Sequence, residues 1–246
     1  MKPDGKTIVL TGGSSGVGLD ILRQLASRCS IINLSRREPE RGDLPPGSAF
    51  THIPVDLGDE TSVGNAIVTI GRHSPSGIDG LINCAAVQFT PRFIDSAFDA
   101  ASIATEVAVN MTAPIRLVAG LLPSLLRSPA GFVLNVNSGL GIVPKCESAV
   151  YCATKAGLDN FSRGLRAQLR GTNVRVLQVF LPLVDTPMSE GRGEGKLPSE
   201  LVARRIVAVI ERDRDGEIDI GKVGLLRMIN RINPALASRI MQGGDG

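Results

Sequence analysis

The sequence has few of the side chains that bind metals or build aromatic cores. Its 246 residues include no tryptophan, one tyrosine, two histidines and four cysteines. Neither the histidines nor the cysteines have the spacing of zinc ligands, so we expect no bound metal. The cysteines, which are Cys29, Cys84, Cys146 and Cys152, are predicted to be free thiols in a reducing, cytoplasmic setting.

Long apolar runs and clustered charge are also missing. The longest apolar run, Ile115 to Leu126, is interrupted by Arg116, Gly120 and Pro123. No stretch approaches the roughly 20 apolar residues of a membrane span, so we expect no integral membrane segment. We also expect no signal peptide, because a short polar lead runs straight into an apolar strand. The formal net charge is +3 and the basic residues are scattered, which argues against nucleic-acid binding.

The chain does contain a regular alternation of short apolar runs and helix-length amphipathic segments. The runs are Thr7–Leu10, Ile31–Leu34, His52–Val55, Gly80–Asn83, Phe132–Val136, Val174–Phe180 and Glu217–Ile220. The helical segments lie near 17–29, 60–72, 99–127, 150–170 and 199–212. Strands that are apolar throughout are buried on both faces, and their alternation with helices is typical of parallel sheets. We therefore predict one domain over 1–246: a doubly wound, three-layer α/β sandwich with a seven-stranded parallel sheet.

Three segments are predicted to be loops: Arg36–Ala49, Val87–Ser96 and Met188–Pro198. The first is a surface connection. The other two follow the carboxyl ends of strands, where open α/β sheets bind ligands. Alternating glycines and charges make the segment 186–200 a candidate mobile lid over a substrate, with an ordinary flexible loop as the alternative.

A glycine-rich turn follows the first strand directly. Gly12, Gly16 and Gly18 have the spacing G-x-x-x-G-x-G, and the turn also contains Ser14, Ser15 and Val17. Glycines allow the backbone to approach a pyrophosphate, which then binds amide groups at the start of the next helix. Because the turn lies between a strand and an amphipathic helix, it predicts a dinucleotide site.

The end of the second strand indicates which dinucleotide is bound. A carboxylate at this point binds the ribose 2′-hydroxyl of NAD(H), but here Ser35 is followed by Arg36 and Arg37. Two cations attract a 2′-phosphate, so we predict a preference for NADP(H). The alternative is that the arginines only solvate a strand end.

Tyr151 and Lys155 are four residues apart on a predicted helix and therefore share a face. A neighbouring cation favours phenolate, so we expect the pKa of Tyr151 to be lowered and the phenol to act as a general acid and base. Ser138, at the end of the fifth strand, can hydrogen-bond a substrate carbonyl or can simply end the strand. Asn110 is an amide on an apolar stretch. It either holds a water or backbone group behind the lysine or is a satisfied core residue.

In their order and spacing these motifs resemble the short-chain dehydrogenase/reductase family from Lys6 to about residue 220. The matching positions are Gly12-x-x-x-Gly16-x-Gly18, Asp56, Asn83-x-Ala85, Asn110, Ser138, Tyr151-x-x-x-Lys155 and Pro182-x-Val184-Asp185-Thr186. The resemblance implies a Rossmann-type fold, a nicotinamide cofactor and a catalytic set of Ser138, Tyr151 and Lys155, with Asn110 supporting a proton relay.

The resemblance also implies cofactor contacts. Asp56 and Leu57 would lie near the adenine, Asn83 and Ala85 beside the cofactor, and Lys155 on the nicotinamide ribose with Tyr151 next to it. The nicotinamide amide would be contacted by Pro182, Val184 and Thr186. Two positions depart from the family pattern, because Ala86 and Leu183 replace glycines. The segments 138–144 and 225–231 resemble a bacterial branch first named from a D-alanyl-teichoic-acid operon.

These features predict an NADP(H)-dependent oxidoreductase that transfers a hydride to or from a carbonyl or secondary alcohol. The candidate substrate-pocket residues are mainly apolar, which favours a small apolar substrate, although several of them would only pack in the core. They are Gln88, Phe89, Leu140, Ile142, Val143, Leu183, Val184 and Met188. Two alternatives are a non-catalytic NADP(H)-binding sensor or scaffold, and an epimerase or dehydratase, which usually needs an additional substrate domain.

The last part of the chain predicts a contact with a partner. Apolar residues recur at helical spacing over 223–241, with arginines among them. This pattern favours a helix that is buried or lies between subunits, and a helix on a membrane surface is the lesser alternative. The long helices near 99–127 and 150–170, which relatives commonly pair, predict a homodimer or homotetramer.

Overall fold

The computed structural model describes residues 3–212 and 215–243. In these ranges the strands are β1 (Thr7–Thr11), β2 (Ser30–Ser35), β3 (Phe50–Pro54), β4 (Gly80–Asn83), β5 (Gly131–Ser138), β6 (Val174–Leu181), β7 (Val184–Asp185), β8 (Leu197–Pro198) and β9 (Gly216–Asp219). The α-helices are α1 (Gly16–Leu25), α2 (Glu60–His73), α3 (Ala101–Val107), α4 (Ala113–Leu125), α5 (Ala149–Gln168), α6 (Ser199–Glu211), α7 (Val223–Ile232) and α8 (Pro234–Met241).

The predicted seven-stranded parallel sheet is confirmed. Its strand order is β3-β2-β1-β4-β5-β6-β9, and every neighbouring pair is parallel. The order reverses between β1 and β4, and the crevice at such a reversal is where open α/β sheets bind ligands. The fold alone therefore places a ligand site beyond Thr11 and Asn83.

Two apolar layers cover the sheet. Ile8 and Leu10 of β1 belong to the cluster that packs against α1 and α6, whereas Val9 between them belongs to the cluster that packs against α2, α4 and α5. Side chains alternate across a strand, so a strand buried on both faces is apolar at most of its positions. This is why the uninterrupted runs predicted the strands correctly.

Several boundaries differ from the prediction. Helix α1 ends at Leu25 rather than near residue 29, and Arg36–Ala49 contains a short 3₁₀ turn at Arg41–Asp43. The predicted loop Met188–Pro198 overlaps a 3₁₀ turn at Pro187–Ser189 and ends in β8, which pairs with β7 in a small second sheet. Strands of two residues are too short to show a side-chain period.

The helix predicted near 99–127 is interrupted in its middle. A single π-helical segment, Ala108–Thr112, joins α3 to α4. In the described part of the chain, Ala101–Leu125 is the one helical stretch whose length and composition would suffice to cross a membrane. Its inner face contributes Leu117, Leu121 and Leu125 to the core.

The predicted tail helix over 223–241 is two helices. Pro234 lacks a backbone N–H and begins α8, while the Asn233 side chain accepts a hydrogen bond from the Leu236 amide at 3.0 Å and so caps the new helix. The apolar stripe is not buried within the chain, because Leu225 and Met228 are each 54% exposed and Ile232 is 79% exposed.

Asp79 joins three parts of the chain just before β4. Its carboxylate accepts hydrogen bonds from the Thr7 amide (2.9 Å), the Ser128 hydroxyl (2.6 Å) and the Lys6 ammonium (3.3 Å). Burial alone would raise the pKa of Asp79, but the hydrogen bonds from Ser128 and Thr7 and the charge of Lys6 together lower it.

We expect Asp79→Ala to lower the free energy of unfolding by about 1–3 kcal/mol at neutral pH, because buried donors lose their acceptor. A carboxyl whose folded-state pKa is lowered stabilises the fold above its unfolded-state pKa. That stabilisation is lost as the pH falls through the folded-state value. Urea denaturation at neutral and acidic pH would measure both effects. Glu38→Ala, on the exposed connection after β2, is the control, and an equal loss there would contradict the assignment.

Candidate active site

The glycine-rich turn after β1 is packed so closely that side chains are excluded from it. A Cβ on Gly18 would lie 2.2 Å from the Gly12 carbonyl oxygen, and one on Gly13 would lie 2.4 Å from Asn33 Oδ1. Gly12 and Gly16 have φ of +78° and +52°, which side chains disfavour. The turn is therefore held with its backbone bare, as close approach to a pyrophosphate requires.

The first turn of α1 leaves its amide groups available. Ser15 occupies the N-cap position, but its side chain makes no capping hydrogen bond, so the amides after it can bind an anion. A Cβ on Gly16 would lie 3.1 Å from Thr186 Cγ2. This contact brings the segment after β6, with Pro182, Val184 and Thr186, beside the glycine-rich turn. A bound dinucleotide fits this arrangement.

The end of β2 has the charge expected for a 2′-phosphate site. The Ser35 hydroxyl accepts from Asn33 Nδ2 at 2.8 Å and donates to the Arg37 carbonyl at 2.8 Å. Arg36 and Arg37 are exposed, and neither forms an ion pair with a described acidic residue. Two unneutralised guanidinium groups therefore flank the point where a carboxylate would select NAD(H).

The loop after β4 is tied to β1. The Thr11 hydroxyl accepts from the amides of Cys84 and Ala85, each at 3.0 Å. Asn83 donates to Asn135 Oδ1 at 2.8 Å, while its own side-chain oxygen is buried without a hydrogen-bond partner. An orphaned acceptor at the edge of the sheet is a feature that a bound polar group would satisfy.

The other predicted cofactor contacts are also at this edge. Asp56 is exposed and accepts a hydrogen bond from the Gly58 amide at 2.9 Å, and Leu57 is half-buried beside it. Ala86 and Leu183, which replace family glycines, have ordinary negative φ, because Ser148 alone among the described non-glycine residues has a positive value. Neither position requires a glycine here.

Tyr151 and Ser138 meet at the end of β5. The Ser138 hydroxyl acts on the phenol so as to lower its pKa, and Ser138 Oγ accepts a hydrogen bond from the Leu140 amide at 3.1 Å. Lys155 Nζ lies 5.7 Å from the centroid of the Tyr151 ring and donates to the Val136 carbonyl at 3.0 Å. Both Tyr151 and Lys155 are buried, so the predicted trio is brought together in a desolvated pocket.

The predicted lowering of the pKa of Tyr151 is wrong for the protein without ligand. Burial raises the pKa of Tyr151 to about 12, against which the hydrogen bond with Ser138 acts only partly. Burial also lowers the pKa of Lys155 to about 8. The ammonium lies over the ring and is directed at a carbonyl rather than at the phenol oxygen, so desolvation outweighs its attraction.

Asn110 lies in the π-helical segment and holds the loop after β4. Its side-chain oxygen accepts from the Val87 amide at 2.8 Å, and its nitrogen donates to the Val87 carbonyl at 2.8 Å and to Thr154 Oγ1 at 3.3 Å. Asn110 is fully buried, so this geometry fits both interpretations: a group that holds backbone and a satisfied core residue. No hydrogen bond to Lys155 is formed, so a relay through Asn110 would need an intervening group.

Sequence reasoning missed Glu106, one helical turn before Asn110. This carboxyl is 2% exposed and accepts from the Phe89 amide at 2.9 Å, and burial raises its pKa. Glu106 and Asn110 therefore hold the same loop at two successive points. The sequence did offer a sign of this role, because Glu106 is the single charged residue in the otherwise uncharged stretch Ser102–Val109.

The predicted substrate-pocket residues separate into two groups. Phe89, Leu183 and Met188 are about 40% exposed, and Leu140 and Ile142 are half-buried near Ser138. Gln88 donates to Ser148 Oγ at 3.0 Å. Val143 and Val184, by contrast, are buried at 2% and 7% exposure and pack in the core, which was the alternative considered for this set.

Known proteins that are similar to this chain identify its family. The family description "short chain dehydrogenase" matches residues 6–197. The chain belongs to the short-chain dehydrogenase family. An uncharacterised oxidoreductase of Bacillus subtilis (strain 168), DltE, is 31% identical over 192 residues, which are 77% of this chain and 76% of that protein, in agreement with the predicted bacterial branch.

Two further relatives extend over nearly the whole chain. An NADP-dependent 3-hydroxy acid dehydrogenase of Schizosaccharomyces pombe is 29% identical over 98% of this chain and 95% of its own length. A short-chain dehydrogenase from Burkholderia cenocepacia J2315, solved in complex with NADP, superposes with a TM-score of 0.84 at 24% identity and covers 98% of this chain and 100% of its own. The protein is thus an oxidoreductase of the CH–OH/C=O type that uses a nicotinamide cofactor.

We expect Tyr151 of the cofactor-free protein to ionise only above pH 10, because burial disfavours phenolate. Near-ultraviolet absorbance reports this residue alone, since the chain has one tyrosine and no tryptophan. Ser138→Ala removes a hydrogen bond that favours phenolate, so it should move the midpoint further upward. A wild-type midpoint below 10 would show that burial is outweighed, and a downward shift in the variant would show that Ser138 does not favour phenolate.

Proposed function

We propose that this short-chain dehydrogenase is an NADP(H)-dependent reductase of small, mainly apolar carbonyl compounds, working reversibly on the corresponding secondary alcohols. The observation that carries the proposal is a buried, neutral Tyr151 whose pKa Ser138 influences, beside the equally buried Lys155. When bound, the nicotinamide supplies or accepts the hydride. The chain's own residues orient the carbonyl and move the proton.

The proton step follows from the pKa values. A carbonyl oxygen that becomes an alkoxide is far more basic than phenolate, so a phenol with a pKa of about 12 remains a competent acid. Ser138 Oγ donates a second hydrogen bond to the same oxygen and fixes its position. Lys155 is held by Val136, and we assign it two tasks: binding the nicotinamide ribose and supplying positive charge as phenolate forms. Asn110 supports this arrangement by holding the backbone at Val87.

The preference for NADP(H) over NAD(H) rests on Arg36 and Arg37. They are exposed and carry positive charge at the end of β2, where Ser35 replaces a carboxylate. A 2′-phosphate gains charge-assisted hydrogen bonds from guanidinium groups, whereas a 2′-hydroxyl gains much less. The NADP in the Burkholderia structure is consistent with this assignment.

The class of substrate is inferred from the site's entrance. The side chains that we assign to its border are mainly apolar: Phe89, Leu140, Ile142, Leu183 and Met188, together with the polar Gln88. The segment 186–200 remains our candidate lid, and it is anchored at both ends. Leu197 N donates to the Leu183 carbonyl at 3.0 Å, and the Ser189 hydroxyl donates to the Val184 carbonyl at 2.6 Å. Gly191, Gly193 and Gly195 between the anchors all have positive φ, so motion would be confined to that stretch.

We also infer a homodimer or homotetramer formed through α4 and α5, whose outer faces carry the small residues Ala119, Gly120, Ala153, Ala156 and Gly164, all exposed. Small residues allow two helices to approach closely. Four free cysteines support the predicted reducing, cytoplasmic setting. A non-catalytic sensor remains the second reading, but nothing in such a protein would require Ser138 and Tyr151 to meet.

Tyr151→Phe should lower kcat by about a hundred- to ten-thousandfold, because the proton donor is lost, while NADPH binding and the thermal unfolding temperature stay close to wild type. Steady-state NADPH oxidation with a panel of ketones, beside fluorescence titration of NADPH, would separate the two quantities. Undiminished turnover in this variant would exclude Tyr151 as the acid.

Arg36→Asp should raise the KM for NADPH at least about tenfold, equivalent to about 1.4 kcal/mol, and leave the KM for NADH nearly unchanged. Arg170→Asp makes the same charge change just beyond α5 and should affect neither cofactor. A wild-type enzyme that prefers NADH, or an equal effect of both variants, would contradict the assigned phosphate site.

A further inference from the structure

Exposed large apolar side chains are concentrated at one edge of the molecule. Of thirteen among the described residues, ten lie on the three segments that follow β4, β6 and β9. We call these ten the apolar rim: Phe89, Phe93, Ile94, Leu183, Met188, Leu225, Met228, Ile232, Leu236 and Ile240. Because the seven strands of the main sheet are parallel, all three segments leave the sheet at the edge that holds Ser138 and Tyr151.

The orientation of the tail part of this rim is fixed. Arg227 donates two hydrogen bonds to the Asp219 carboxylate, at 2.8 and 2.9 Å, and its guanidinium lies 4.3 Å from the centroid of the Phe180 ring. On the inner side, Val223 Cγ2 would be 3.4 Å from a Cβ on Gly139. Helix α7 is therefore anchored next to the active site, with its apolar stripe directed away from the protein.

The charged side chains of residues 220–243 are all of one sign. Residues 220–243 contain Lys222, Arg227, Arg231 and Arg239 and no acidic residue. Arg227 is neutralised by Asp219. The other three are exposed, and none forms an ion pair with a described residue. Solvent-facing cations thus border an exposed apolar stripe, the composition of helices that lie in a membrane interface.

We propose that the apolar rim docks this protein on an anionic lipid bilayer, with α7 and α8 lying in the interfacial plane and the entrance of the active site facing the membrane. The charge of these helices favours a lipid bilayer over a second copy of the chain as the binding partner. A twofold interface places the same patch against itself, so an interface of α7 and α8 with their own copies would bring three cations close to three others, with no acidic side chain among residues 220–243. Anionic headgroups neutralise those cations instead.

The proposal is independent of the catalytic assignment. One consequence alone rests on the proposed function: an apolar carbonyl compound dissolved in the bilayer would reach Ser138 through the rim without crossing bulk water.

The test is co-sedimentation of the full chain with vesicles of phosphatidylcholine alone or mixed with phosphatidylglycerol. We expect at least about tenfold tighter binding to the anionic vesicles, weakening as salt screens the charges. Met228→Ser with Ile232→Ser should lower that binding at least about tenfold, and so should Arg231→Gln with Arg239→Gln. The matched controls are Val68→Ser, which like Leu225 is 54% exposed, and Arg72→Gln, both on α2. They should bind as the wild type does.

Three results would overturn the proposal. The first is equal or absent binding to the two kinds of vesicle, and the second is unchanged binding by both tail variants. The third is a loss of oligomer size in sedimentation velocity on substituting Met228 and Ile232, which would mean that a second copy covers the stripe. All substituted side chains are exposed, and retained circular dichroism and NADPH binding would show that the fold and cofactor site are intact. If a double variant does not fold, the single variants Leu225→Ser and Arg239→Gln decide in the same way.

Discussion

The burial of one lysine beside one tyrosine is the constraint on which the site depends. Lys155 forms no ion pair with any described residue and is held instead by the Val136 carbonyl. Desolvation therefore acts on both groups in the same direction, toward their neutral forms, and it moves the pKa of the lysine to about 8 and that of the phenol to about 12. A ligand that brings charge into this pocket changes both groups together, so that binding and proton transfer are coupled.

A chain of buried amide side chains holds this pocket in place. Asn83 donates to Asn135, which donates to Ser162 of α5, and Asn137 donates to Gln178, which donates to Asp159 of the same helix. These bonds run across β4, β5 and β6 within an otherwise apolar sheet. Since a buried polar group without a partner is costly, the network favours one position of α5 and hence one position of Tyr151 relative to Ser138.

The sequence alone was sufficient to predict the features that follow a repeating pattern of residue types. Apolar runs such as Thr7–Leu10 predicted the sheet, and the glycine spacing after β1 predicted a turn that the structure shows to exclude side chains. It was insufficient where the outcome depends on a balance of effects or on a single residue. The sign of the pKa shift of Tyr151 depends on burial and on where the Lys155 ammonium points. Glu106 and Asn110 contact a loop, and such contacts leave no periodic pattern in the sequence. The end of α7 at Asn233 depends on the side-chain cap of Asn233 as well as on Pro234.

The π-helical segment Ala108–Thr112 limits the insertions and deletions that this protein can tolerate. Such a segment contains one residue more than an α-helical turn would, and each residue rotates an α-helix by about 100°. The extra residue lets α3 direct Glu106 toward the loop while α4 directs Leu117 and Leu121 into the core. Deleting one residue here would make the helix regular and turn one of those faces away from its partner. Single-residue insertions and deletions should therefore be far less tolerated at this point than in the neighbouring loop.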